Sequence, residues 1–110
     1  MSDNEKKKSK FRSSQKWKNF RKDLKKNQKT DPITGSKLST TATCHHKDLN
    51  IQNYEMISED RQVMLNPMSH DVLHYVYGDE RKRHDWKRRL AALERLCEEM
   101  DKYNGEYSEG

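Results

Sequence analysis

The chain is short of apolar side chains. Of its 110 residues, 30% are hydrophobic and 8% aromatic, while 37% are charged. That leaves material for one small core and not two. A metal ion or a second chain is expected to help hold so small a core together. Cysteine is scarce as well: Cys44 and Cys97 stand apart, with no CxxC pair. A disulfide framework is not expected, and two such cysteines exclude a four-cysteine zinc site within one chain. No apolar run approaches the length of a membrane span, and no apolar stretch follows the lysines near the N-terminus. The expectation is no secretory signal, no membrane partner and a reducing cytoplasm.

Charge is abundant but unevenly spread. The formal net charge is +5. Residues 1–29 carry twelve Lys or Arg against Asp3, Glu5 and Asp23, a balance of +9, and the remainder of the chain is at −4. A basic arm on a mildly acidic body reads either as a solubilising tail or as a polyanion contact. Nucleic acid is the commonest polyanion, because clustered cations gain from counterion release.

Residues 1–12 read as a disordered basic arm. A basic helix is expected over 13–29, capped by Ser13 or Ser14, with Trp17, Phe20 and Leu24 in a narrow apolar stripe. Asp31-Pro32-Ile33-Thr34-Gly35 is a turn signal. The Thr-rich segment 37–46 predicts a strand, 48–60 a polar loop and 61–65 a second short strand. Asn66-Pro67 starts a helix that Gly78 ends. A last amphipathic helix is expected over 79–103, with Trp86, Leu90, Leu93, Leu96 or Cys97, and Met100 on one stripe, and 104–110 reads as a flexible tail. The fold class expected is α+β with very little sheet.

Four of the five histidines fall within thirty residues. His70 and His74 are four apart on an expected helix, so both imidazoles share one face. His45 and His46 are neighbours on an expected strand, so they point to opposite sides. Three imidazoles with an open position make a catalytic type of metal site. His45, His70 and His74 can supply the three, leaving His46 for general-base work. An isolated His pair or a His-His dipeptide is ordinarily a chance occurrence. Their combination across a strand, loop, strand and helix is what carries the signal. His84 stands apart in a basic segment and reads as a surface residue.

These residues resemble the HNH endonuclease superfamily, built on a ββα-metal motif, and its small phage-encoded members most of all. The resemblance covers Asp31 to Gly78, under half the chain. "DPITGSKL" resembles the knuckle before the first strand, "TCHHKDLN" the first-strand signature, and "DRQVMLNPMSHDVLH" the second strand and helix with their H-x-x-x-H ending. The resemblance implies a ββα-metal core over 30–78, flanked by the basic helix and the C-terminal amphipathic helix. It implies metal ligands His45, His70 and His74, with His74 alternatively a phosphate contact. It also implies a general base, His46, and one divalent ion (Mg²⁺, Mn²⁺, Zn²⁺ or Ni²⁺).

Two departures bear on function. The family's middle Asn, which braces the loop and orients the catalytic His, aligns with Arg61. Asn50, Asn53 or Asn66 can substitute, although Asn66 also suits a helix cap, and Arg61 can alternatively contact phosphate. The knuckle cysteines are missing too: Asp31 and Gly35 stand for the first pair, Asn66 and Ser69 for the second, so no structural zinc is expected there.

DNA contacts are expected from Lys16, Lys18, Arg21, Lys22, Lys25 and Lys26 on the basic helix. Arg81, Lys82, Arg83, Lys87 and Arg88 near the last helix read either as a solvated face or as a second DNA-facing cluster. The leading expectation is a metal-dependent DNA endonuclease of low sequence specificity, acting in phage DNA metabolism or packaging inside the bacterial host. Three alternatives stand beside it: a non-catalytic DNA-binding module, an adaptor on phage packaging or replication proteins, and an RNA binder. The last lacks an aromatic stacking platform.

Overall fold

The structure is a computed structural model whose described residues are 2–107. Residues 108–110, part of the expected tail, lie outside them. The element order is α1 (Asp3–Arg12), α2 (Gln15–Gln28), β1 (Thr43–His46), a 3₁₀ turn (Ile51–Asn53), β2 (Gln62–Leu65), α3 (Pro67–Tyr77) and α4 (Trp86–Asn104). This is a small mixed α+β fold. It divides into two compact units that are joined in sequence at Val72 and Leu73, within α3.

The first unit begins with a difference from the sequence reading: residues 3–12 are helical. The Ser2 side chain accepts from the Glu5 N–H, Asp3 and Glu5 sit in the first turn, and Lys10 and Arg12 sit in the last. Those charges complement the helix dipole at both ends. Phe11 then anchors the helix, with its ring 5.4 Å from Trp17 and 5.7 Å from Tyr54. Lysine-rich composition signals disorder, but caps and one buried aromatic outweigh it here. Ser14 caps α2 by accepting from the Trp17 N–H.

The core gathers Leu24 of α2 with Leu38, Ala42 and Met64, and Phe20 and Cys44 pack against it. Met64 and Leu65 on β2 are 1% exposed, and burying side chains of this size contributes about 1.5–3 kcal/mol each. β1 and β2 pair antiparallel in the register Thr43↔Leu65, Cys44↔Met64, His45↔Val63 and His46↔Gln62. The first strand is shorter than the ten residues expected. Over 37–42 the chain makes one bridge, Thr30↔Lys37, and a turn closed by Ala42 N–H to the Ser39 carbonyl. Gln28 satisfies the open edge of β2: its amide donates to the Met64 carbonyl and accepts from the Met64 N–H.

Asp31 is fully buried and ties this unit together. One carboxylate oxygen accepts from the Ile33 and Thr34 N–H groups and the Ser69 hydroxyl, and the other accepts from the Asn66 N–H. Burial alone would push the carboxyl up. The hydrogen bonds from Thr34, Asn66, Ile33 and Ser69 more than offset it and hold the pKa at about 2. Asp31, Asn66 and Ser69 stand where the resemblance puts knuckle ligands, so a carboxylate knot occupies that position.

In the second unit, α3 ends at Gly78, whose φ is 96°. A Cβ there would lie 2.1 Å from the Lys82 carbonyl oxygen, so only glycine fits. The expected start of the last helix at Asp79 is corrected. Asp79 folds back to accept from the Arg81 and Lys82 N–H groups, and α4 begins seven residues later, capped by Asp85. An Asp that bonds its own following N–H groups favours a turn over helix continuation. Among the described residues, no helix is long and apolar enough to cross a membrane.

Candidate metal centre and basic groove

Strand alternation separates the neighbours on β1. Cys44 faces the core, and burial pushes its thiol up to about 12, with the nearby Arg21 pulling slightly the other way. Cys44 packs against the core cluster, on the side of the strand away from His45. His45, one residue on, takes the opposite face. It meets α3, where its ring centroid is 5.5 Å from that of His70 at an interplanar angle of 72°. His74 follows His70 by one turn of the same unbroken helix. His45, His70 and His74 each offer a ring nitrogen, and these atoms lie within 4.8 Å of one another. All three side chains are half-buried. Metal–nitrogen bonds of about 2.0–2.1 Å put three ligand nitrogens about 3.3 Å apart. Small side-chain rotations close that gap, so the donor set fits one borderline divalent ion of the zinc or nickel type.

His46 lies on the Cys44 side of the strand. Its ring is sandwiched between Trp17 (centroids 5.1 Å apart) and Tyr54 (4.3 Å). Nε2 is 3.2 Å from the Tyr54 carbonyl oxygen. A carbonyl only accepts, so Nε2 carries the proton and Nδ1 keeps its lone pair. Burial lowers the His46 pKa, the Tyr54 hydrogen bond opposes that, and Lys8 and Arg12 add to the lowering. Burial therefore favours the neutral imidazole, and the Tyr54 carbonyl, in the loop that follows the strand, selects its tautomer.

That loop is braced by a residue the sequence reading passed over. Asp48 accepts from the Asn50 N–H, the Asn53 amide and the Arg61 guanidinium, the last two at 2.9 Å. Its carboxyl is held below the usual range, first by the Asn50 N–H and then by the Asn53 amide. Arg61 also accepts at its carbonyl from the Lys47 N–H. Arg61 is therefore tied to the loop through an Arg61–Asp48–Asn53 cluster, while Asn50 caps the 3₁₀ turn. Asn66 does other work. Its amide donates to the Lys37 carbonyl and accepts from the Ser39 N–H, so its side chain holds the segment before β1 and neither caps α3 nor reaches the His46 loop through these bonds. Asp48 was legible only as the acceptor in a D-x-N-x-x-N pattern (Asp48, Asn50, Asn53).

Of the expected DNA contacts, Lys22, Lys25 and Lys26 line one face of a groove of about 550 Å³. Lys29 and Lys37, not singled out in the sequence, complete it over a floor that includes Leu38. Lys29 reaches it from the left-handed backbone region, φ 66°, a conformation that non-glycine residues adopt at some cost. Lys16 and Lys18 are exposed on α2. Arg21 is exposed as well, and one guanidinium nitrogen donates to the Ala42 carbonyl at 3.5 Å. In the second unit, Arg81, Lys82 and Arg88 are exposed, Arg83 stacks 4.0 Å over Tyr77, and Lys87 lies over Trp86. His84 is half-buried.

No family model matches the chain, and neither the curated proteins nor the solved structures give a match.

Proposed function

We propose that the chain is a metal-dependent DNA endonuclease of the HNH type, hydrolysing phosphodiesters with little sequence selectivity and serving phage DNA metabolism or packaging. One observation carries the reading: ring nitrogens of His45, His70 and His74, from a strand and the following helix, lie within 4.8 Å of one another. The five-lysine groove supports it from the binding side.

His45, His70 and His74 would hold one divalent ion, which when bound supplies Lewis-acid stabilisation of charge on the scissile phosphate. The lysine groove grips the phosphate backbone without reading bases. His46 accepts a proton from the attacking water at Nδ1, its tautomer fixed by the Tyr54 carbonyl. The Asp48 cluster holds the loop from which that carbonyl comes.

The test is nicking of supercoiled plasmid with Mg²⁺, Mn²⁺, Ni²⁺ and Zn²⁺ in turn. At least one ion supports nicking, and His46→Ala lowers the rate by on the order of a hundredfold or more. Absence of cleavage with every ion overturns the proposal. The stacking of His46 between two aromatic rings favours a second reading, a non-catalytic DNA-binding module. That reading requires salt-sensitive DNA binding without nicking, unchanged in His46→Ala.

A further inference from the structure

α4 has 19 residues, and none of them is buried. Trp86, Leu90, Leu93, Cys97, Met100 and Asn104 follow one another by alternating steps of four and three. That is the 3.5-residue period of a coiled-coil seam. Leu90, Leu93 and Met100 are 46%, 40% and 60% exposed. The helix is capped at both ends: Asp85 accepts from the Arg88 N–H, and the Gly105 N–H reaches the Asp101 carbonyl. Most helical stability in proteins comes from packing an amphipathic face, and the apolar stripe of α4 is largely exposed. Contiguous exposed apolar surface of this kind marks an interaction site.

We propose that α4 pairs in parallel with α4 of a second copy of this chain, forming a two-stranded coiled coil. The flanking charges argue for the second copy and for the direction. Arg89 and Glu94 are five residues apart on opposite flanks of the seam, and in a parallel pair each Arg89 meets Glu94 of the other copy. The Arg89 guanidinium also donates to the Tyr75 carbonyl, and it keeps further N–H groups for the carboxylate. An antiparallel pair would set Glu94 against Glu94 and put Trp86 beside Asn104. In the parallel register Asn104 meets Asn104, and a polar residue at such a position fixes register. This inference stands independently of the nuclease reading.

The test is sedimentation equilibrium of the full chain under reducing conditions. A dimer is expected that dissociates on dilution, and the double substitution Leu90→Glu, Leu93→Glu is expected to run as a monomer. Far-ultraviolet circular dichroism at a fixed concentration keeps that variant interpretable, since its first unit should stay folded. Direction is read from Asn104→Cys in a Cys97→Ser background, mildly oxidised with glutathione. A parallel pair forms the interchain disulfide quickly, whereas antiparallel helices hold the two thiols about 27 Å apart along the axis. A wild-type monomer at high concentration, a double variant that dimerises like wild type, or a dimer without the disulfide each overturns the proposal.

Discussion

Ser69 and His70 are consecutive residues of α3, yet their side chains serve opposite constructions. Ser69 donates to Asp31, a fully buried carboxylate that takes hydrogen bonds from two turn N–H groups, one helix-start N–H and that hydroxyl. His70 joins His45 and His74 in a half-buried group whose ring nitrogens share one small space. The first construction is closed: its donors and acceptors are matched, and no external group is required. The second brings three imidazoles close enough that they could share one ion. Where a small fold lacks a cysteine staple, a buried carboxylate knot can tie it together. With Asp31 tying the first unit together, the chain is expected to fold without a metal ion.

Breaking the knot sharpens the contrast most. Asp31→Ala strands several buried donors, and a loss of about 3 kcal/mol or more is expected in urea unfolding. Mg²⁺ or Zn²⁺ should not be needed for the wild-type transition. Chelation with EDTA is expected to lower Tm by no more than the ligand's own linkage contribution. An EDTA-treated chain that is unfolded would reverse the assignment of the two sites.

Acid probes the same contrast next. The Asp31 carboxyl sits at about 2 in the folded chain against 3.8 when free. A depressed folded pKa means its contribution is complete above about 3.8 and fades as pH falls toward 2. Urea midpoints measured from pH 5 down to 2 should drop steeply in that window. In Asp31→Asn the slope there should be visibly shallower. An equal slope in both proteins would show that other groups control acid unfolding.

Much of this arrangement was legible in the sequence because its signals are local. Asn66-Pro67 and Gly78 bracket α3, and the four-residue step from His70 to His74 fixes their shared face. Adjacency of His45 and His46 on a short strand puts their side chains on opposite faces. What was not legible depends on long-range partners. The Thr-rich run 37–42 has strand propensity, but the Asn66 amide and a local turn claim its backbone. Asp79 reads as a helix start until its carboxylate is found on its own following N–H groups. Lysine density hid α1, whose helix hangs on Phe11 meeting Trp17 and Tyr54. Asp48 has a local signature in Asn50 and Asn53, but its Arg61 partner is thirteen positions away, and Lys37 shares its groove with Lys22, Lys25 and Lys26 from the preceding helix.

Smaller effects separate bracing from binding. Arg61 and Asp48 are each about a third exposed, so solvent screens their ion pair and it adds little to stability. Arg61→Ala is therefore expected to leave the urea midpoint nearly unchanged while slowing nicking by on the order of tenfold, through loosened placement of the His46 loop. A large stability loss without a rate effect would make Arg61 purely structural. Lys29→Ala and Lys37→Ala should each weaken DNA binding modestly and reduce the slope of log affinity against log salt by roughly one. An unchanged slope would remove the groove from the DNA path.

Isothermal titration of the apo chain with Ni²⁺ or Zn²⁺ bears most directly on the histidine cluster. One ion per chain is expected, with affinity falling by about a hundredfold or more in each of His45→Ala, His70→Ala and His74→Ala and unaffected by Cys44→Ala. A wild-type chain that takes up neither ion, or one whose binding survives all three histidine substitutions, would show that the three imidazoles do not form a metal centre.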